Sequence, residues 1–401
     1  MLTSLSFIFL VGLAMGAICQ KLKLPRIIGM LATGIVLGPY VLDFLDPSIL
    51  SISADLRKMA LIIILLKAGL SLNLDDLKKV GRPAIMMSFV PASFEIIGYL
   101  LFAPSILGIT RVEAAVMGSV LAAVSPAVVV PRMVQLMENK YGTEKAIPQM
   151  IMAGASCDDI FVIVLFTTFL SMAQGGSADI KAFVNIPISI ILGIILGAIV
   201  GYLLYLFFET AYAKKHYVRN SMKVIIVLGF SFLLIAIEGW LEGKIAVSGL
   251  LAVVSMACVL KMKCTSFVSK RLSEKFGKLW FAAEVILFVL VGAAVDIRYT
   301  LDAGLAAVAM IFAALIFRSF GVWLCTVKTS LTLKERAFCV IAYLPKATVQ
   351  AAIGSVPFAA GLPCGKIVLS VAVMAIIITA PLGAFGMDFT YKKFLHKESE
   401  R

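Results

Sequence analysis

The chain has 401 residues, 61% of them hydrophobic and only 15% charged, with a mean hydropathy of +1.03, far from the roughly 45–50% apolar and 25% charged residues of soluble domains. Such a chain needs a bilayer as solvent, and apolar runs of about 20 residues leave too little of it for a soluble catalytic domain. Its formal charge of +13 fits short cytoplasmic loops rather than a nucleic-acid surface, and seven cysteines without CxxC or Cys/His spacing indicate neither a disulfide framework nor a metal site; no cofactor is expected.

Residues 2–18 have no basic region before them and no A-x-A cleavage signal after them, so they read as a first transmembrane helix and not as a leader. Apolar runs predict thirteen spans, near 3–19, 27–43, 57–74, 83–103, 112–135, 147–171, 183–208, 222–240, 245–260, 279–295, 303–326, 335–356 and 367–387. The third span holds Lys67, eight residues before Asp75, where it can partner a carboxylate or reach toward an interface. Glu95 lies in the fourth, Pro126 deep in the fifth, Asp158 and Asp159 in the sixth. Glu238 and Glu284 fall near span ends, where water is expected to reach them. Arg318 is in the eleventh span, and Pro345 with Lys346 in the twelfth. His216 and His396 belong to basic segments between or after spans and could at most modulate a pH response.

With the N-terminus outside, 26 basic residues fall on the inside and seven, Arg57, Lys58, Arg111, Lys181, Lys244, Arg298 and Lys366, on the outside. One span missed or invented in the middle would erase that bias, so thirteen spans, N-terminus outside and C-terminus cytoplasmic, is the expected topology. Thirteen divides as six, a connector and six, which is the parity of an inverted repeat. Pro126 and Pro345 occupy matching places, each freeing the carbonyl four residues earlier, at Ala122 and Ile341. The expected fold is thus all-α and integral to the membrane, with two broken helices.

A charge at the centre of a span costs about 2.5–3.5 kcal/mol on translocon scales and is usually functional. Lys67, Glu95, Asp158, Asp159, Arg318 and Lys346 qualify, three acids and three bases. Glu95 and Arg318 stand on repeat-related helices, and a structural salt bridge between them is the natural pairing. Neighbours on a helix point about 100° apart, so Asp158 and Asp159 should face different partners. Lys346 could pair with Asp158, or could offset the negative ends of the half-helices. Asp159 is then the carboxylate left for a cation.

Burial and neighbouring charges act in opposite senses on such a group, so that proton and cation can compete for it. Sodium and lithium want oxygen ligands, which Asp159, the freed carbonyls near residue 122 and the hydroxyls of Ser125, Ser156 and Thr348 could supply. Each of those hydroxyls has a blander reading, bonded back to a helix carbonyl.

These residues carry a resemblance. KLKLPRIIGMLATGIVLGP at 21–39 resembles the second-helix signature of the monovalent cation/proton antiporters of the sodium/proton exchanger superfamily, GASCDDI at 154–160 their two-aspartate motif, and LPKATVQAA at 344–352 their second broken helix. The resemblance covers essentially the whole chain and implies the sodium/proton antiporter fold. It also implies a homodimer in the lipid of the cell membrane, in which residues 83–175 and 301–390 form a transport core. That core slides, elevator-like, against a scaffold of 1–82 and 176–300, and 391–401 is a cytoplasmic tail. By this likeness Asp159 is the ion-binding carboxylate, with Asp158 beside it, and sodium or lithium exchanges for protons in pH and sodium homeostasis.

Members that move net charge usually carry a lysine, paired with the first aspartate, where this chain has Arg318 facing Glu95. That resembles the NHA-like branch and implies electroneutral exchange. Potassium/proton exchange and a sodium-coupled symporter of the same architecture stand as alternatives. An intramembrane aspartyl protease does not fit, because its two carboxylates share a proton from different helices, whereas these are neighbours on one.

Overall fold

The computed structural model describes residues 1–71, 80–174, 180–215, 219–241, 247–296 and 304–398. They are helical almost throughout. In chain order the helices are α1 (Leu2–Lys21), α2 (Arg26–Leu37), α3 (Pro47–Ser51), α4 (Ser53–Ser71), α5 (Arg82–Met87), α6 (Val90–Leu107), α7 (Arg111–Leu121), α8 (Pro126–Glu138) and α9 (Ile147–Ala173). There follow α10 (Ile180–Lys215), α11 (Asn220–Leu241), α12 (Gly249–Lys263), α13 (Ser266–Ala293), α14 (Gly304–Thr326), α15 (Leu333–Ala342), α16 (Thr348–Ile353), α17 (Val356–Ala359) and α18 (Gly365–Phe394). Among the described residues nine helical stretches are long and apolar enough to cross a bilayer.

Local chemistry explains where these helices depart from the apolar runs. The second span was expected to reach residue 43, but α2 stops at Leu37 because Gly38 precedes Pro39 and is extended, at φ −70° and ψ 173°. The fourth divides into α5 and α6 around Ser88 and Phe89, with Pro91 at the second position of α6. The tenth was expected to start near 279, yet α13 starts at Ser266. Its first half is amphipathic, with Val268, Leu272, Phe276 and Trp280 buried at a spacing of four, a pattern that summed hydropathy passes over. Glu284 is therefore mid-helix and buried, not wetted.

The chain divides into two compact units, one of Met1–Arg57, Asn73–Ala173 and Val285–Arg401, the other of Lys58–Leu72 and Gln174–Glu284. In the second, α10 and α12 approach at backbone distance. A Cβ on Gly193 or Gly201 would stand 2.6 Å from the Ser248 carbonyl oxygen and 2.8 Å from that of Met256. Small residues at a spacing of four let membrane helices meet this closely. Lys67 is in this unit and half-buried; Asp75 and His216 lie outside the described residues.

In the first unit, α2 crosses the end of α13 in the same manner: a Cβ on Gly34 would collide with the main chain of Val289, and one on Gly38 would lie 2.9 Å from the Cα of Ala293. Arg57 is buried, and its Nη1 donates to the Leu290 carbonyl at 3.3 Å. A cation is stabilised there by the negative end of α13.

The end of the chain is laced to the α8–α9 turn. The Gly142 amide donates to the His396 carbonyl at 2.8 Å and the Glu398 amide to that of Lys140 at 2.9 Å, about an antiparallel bridge between Tyr141 and Lys397. Thr143 Oγ1 donates to the Glu398 carboxylate at 2.7 Å. Arg132 of α8 grips Asp388 of α18 with two bonds of 3.1 Å.

Candidate functional site

Two chain breaks meet in the first unit. The first lies between α7 and α8. Thr110 and Glu113 start α7 with a reciprocal capping box, and the helix ends where Ser125, extended ahead of Pro126, cannot continue it. Pro126 opens α8 at the position where a missing amide costs nothing. The second lies between α15 and α16, and α15 likewise starts with a capping box, of Thr332 and Glu335. The Ser125 amide donates to the Pro345 carbonyl at 2.8 Å, main chain to main chain. Lys346 is fixed on its other side by its amide, which donates to Thr379 Oγ1 of α18 at 2.9 Å.

Five buried charges surround this junction. Arg318 of α14 is fully buried, and its Nη1 donates to Glu95 Oε2 of α6 at 2.8 Å and also to the Ala122 carbonyl. Its Nη2 donates to Asp158 Oδ2 at 3.2 Å and its Nε to the Tyr343 carbonyl at 2.5 Å. The guanidinium carbon lies 5.4 Å from the centre of the Tyr343 ring. Lys346 Nζ donates to the same Glu95 oxygen at 2.5 Å. Asp158 Oδ2 accepts a second bond, 2.8 Å, from the Val124 amide of the first break. One planar arginine thus ties together α6, α9 and both breaks.

Asp159 is 5% exposed, and no ion pair reaches it among the described residues. Its Oδ1 is buried without a hydrogen-bond partner. Glu95, Asp158 and Asp159 oppose Arg318 and Lys346, so with all five ionised the cluster carries one negative charge more than it balances. The 100° step between helical neighbours separates the two aspartates: Asp158 turns to the arginine and the break, Asp159 does not.

Glu95 and Arg318 meet directly. The Lys346 ammonium meets Glu95, whereas the sequence pointed to Asp158 or to the half-helix ends. The freed carbonyls differ from expectation too: Ala122 is taken by Arg318, and Ile341 accepts from the Leu344 amide at 3.3 Å. The hydroxyl oxygens of Ser125 and Thr348 are buried without partners, not bonded back to their helices, as are Asp158 Oδ1 and the Tyr343 hydroxyl. The Ser156 side chain lies outside the described residues.

Sequence reasoning passed over Gln350 and Thr379. Gln350 is fully buried, with Nε2 donating to the carbonyls of Leu121, at 3.3 Å, and Ala123, at 2.8 Å, while Oε1 accepts from the Ala347 amide at 2.8 Å. An uncharged amide three residues past the foot of a helix that follows a proline break was the available signal.

The model of the family described as sodium/hydrogen exchanger, transmembrane, matches residues 5–392. Sodium/hydrogen exchanger 9B2 of Homo sapiens is 33% identical over 93% of this chain and 70% of its own length, and sodium/hydrogen exchanger 9B1 of Homo sapiens 32% over 98% and 78%. The 9B2 protein of Xenopus tropicalis is 31% identical over 87% of this chain, which spans only 65% of that relative's length. In structure, the sodium proton antiporter MjNhaP1 from Methanocaldococcus jannaschii superposes with a TM-score of 0.83 over 98% of both chains at 20% identity, a likeness of fold. Matched almost from end to end by the family's model, this multi-pass membrane protein belongs to the sodium/hydrogen exchanger family, whose members are transporters and not enzymes.

Proposed function

We propose that the chain is a secondary antiporter that exchanges a monovalent cation, sodium or lithium, for protons, and that the two compete at Asp159. The observation that carries this reading is the single unbalanced negative charge of the buried cluster, borne by the one acid in it without a basic partner. A bare carboxylate in a bilayer is strongly disfavoured, so either a proton or a metal ion must accompany it, and each displaces the other. Family membership and the activities for which the relatives are named support the same reading. One carboxylate exchanging one proton for one monovalent cation moves no net charge, which supports electroneutral exchange. Charge balance requires nothing more of Asp158, whose charge Arg318 already meets.

An elevator-like cycle is the transport step that fits. Both breaks and all five charges fall within 83–175 and 301–390, so these segments can carry the site as a whole as the moving core. The inverted repeat gains support from the two capping boxes: Thr332 follows Thr110 by 222 positions, close to the 223 that separate Glu95 from Arg318. With thirteen spans and a homodimer this completes the proposed architecture.

The test is purified protein in proteoliposomes with an internal pH dye, challenged with sodium, lithium and potassium in turn. Sodium and lithium should each move protons, and Asp159→Asn should abolish the signal while the protein stays folded. Proton movement with potassium alone would transfer the reading to potassium/proton exchange, and no response to any cation would sink it. Under a potassium/valinomycin clamp the rate should ignore imposed voltage; a clear response would refute electroneutrality.

A further inference from the structure

The first break leaves a definite set of main-chain groups without their helical partners. In an uninterrupted helix the Ser125 amide would bond the Leu121 carbonyl, and residue 126 would bond Ala122. Here the Ser125 amide goes to Pro345, and Pro126 has no amide to give. Ala123, the next carbonyl, is at the break itself. Three consecutive carbonyls, Leu121, Ala122 and Ala123, therefore need donors from elsewhere. Arg318 supplies Ala122, and the Gln350 amide supplies both of the others. The same side chain accepts from the Ala347 amide at the foot of α16.

This arrangement decides what a cation can use. Free carbonyls at a helix break are natural ligands for a hard cation, but here all three have donors. The buried side-chain oxygens left without partners near the junction are Asp158 Oδ1, Asp159 Oδ1, Ser125 Oγ, Thr348 Oγ1 and the Tyr343 hydroxyl. We infer that Gln350 is a positioning residue, which staples the end of α7 to the start of α16 and, by occupying the Leu121 and Ala123 carbonyls, turns the cation away from them and toward the unpartnered side-chain oxygens around Asp159. The inference rests on the antiport reading for its functional part and on geometry alone for the staple.

Only a neutral group with two donors and an acceptor does this. A lysine or arginine at 350 would cancel the negative charge that Asp159 keeps for its ion. A glutamate would double it and lose both donors. An apolar side chain would leave two carbonyls and one amide buried and unbonded.

The test uses Gln350→Met, of equal length without donors, Gln350→Glu as a second variant should the first not fold, and Gln149→Met as a control that removes a half-buried amide elsewhere. Amide hydrogen exchange on the folded protein reads the staple directly. Exchange at Ser125 should quicken in both Gln350 variants, and at Ala347 in Gln350→Met, which has no acceptor oxygen, and in neither case in the control; unchanged protection would overturn the staple whether or not the protein transports. In proteoliposomes the half-saturating sodium concentration should rise at least about fivefold with the maximal rate nearly preserved, since the lost bonds position ligands and carry no charge. An unchanged half-saturating concentration, or a fall in maximal rate that only tracks loss of folded protein, would overturn the positioning role. If the unaltered protein exchanges nothing, the antiport reading fails while the exchange data still judge the staple.

Discussion

Glu95 accepts from Arg318 and Lys346 through a single oxygen, and it is the carboxylate that Lys346 pairs with, while Arg318 also has Asp158. Breaking a buried pair by removing one partner costs about 3–5 kcal/mol, because the other charge is stranded; the exposed Arg132–Asp388 pair should be worth about 1 kcal/mol or less. Glu95→Gln is therefore expected to lower the melting temperature in detergent by several degrees, and Asp388→Asn hardly at all; equal shifts would contradict the central place given to Glu95. The meeting of Glu95 with Arg318 was legible from their matching positions in the two halves of the chain. The partner of Lys346 was not, because sequence spacing places a residue in depth but not in azimuth, and Lys346 sits in a non-helical break where a helical wheel gives no direction. Gln350 escaped for another reason: searching a membrane span for charges passes over a neutral amide, although it makes as many bonds as a charged group.

At the scale of elements, the first break is held by more than its proline. Pro126 stands at the first position of α8, where no amide is needed, and the main-chain groups around it are bonded to Pro345, Asp158, Arg318 and Gln350. Pro126→Ala should thus keep the break, with a stability change within about 1 kcal/mol and exchange still measurable; a continuous helix through 121–126, read from amide exchange, would show that the proline alone enforces it. The crossing of α2 with α13 has no such reserve. Gly34→Val would drive a branched side chain into the Val289 main chain, and a severe loss of folded protein is expected, measurable by size-exclusion yield. Prolines made both breaks readable in advance. The glycine of α2 was visible too, but a sequence does not say which helix passes over it. The long start of α13 was hidden because summed hydropathy does not detect an amphipathic turn.

For the whole molecule, composition announced the bilayer, and the uneven basic residues predict an orientation that can be tested without transport. With thirteen spans, a lone cysteine introduced at Arg111 should react with a membrane-impermeant maleimide from outside in intact cells, and one at Asn139 only after permeabilisation; the reverse pattern would overturn the topology. The lacing of residues 395–398 onto the α8–α9 turn was not legible, since a short polar tail carries no hydrophobic period and most of its bonds are main-chain bonds that any sequence could make. His396 takes part through its carbonyl, while its side chain stands exposed. A fluorophore on a cysteine at that position would be coupled to the unit that holds Asp159, and under the proposed elevator cycle energy transfer from it to acceptor dyes in the lipid would turn each passage of the site through the bilayer into an optical signal.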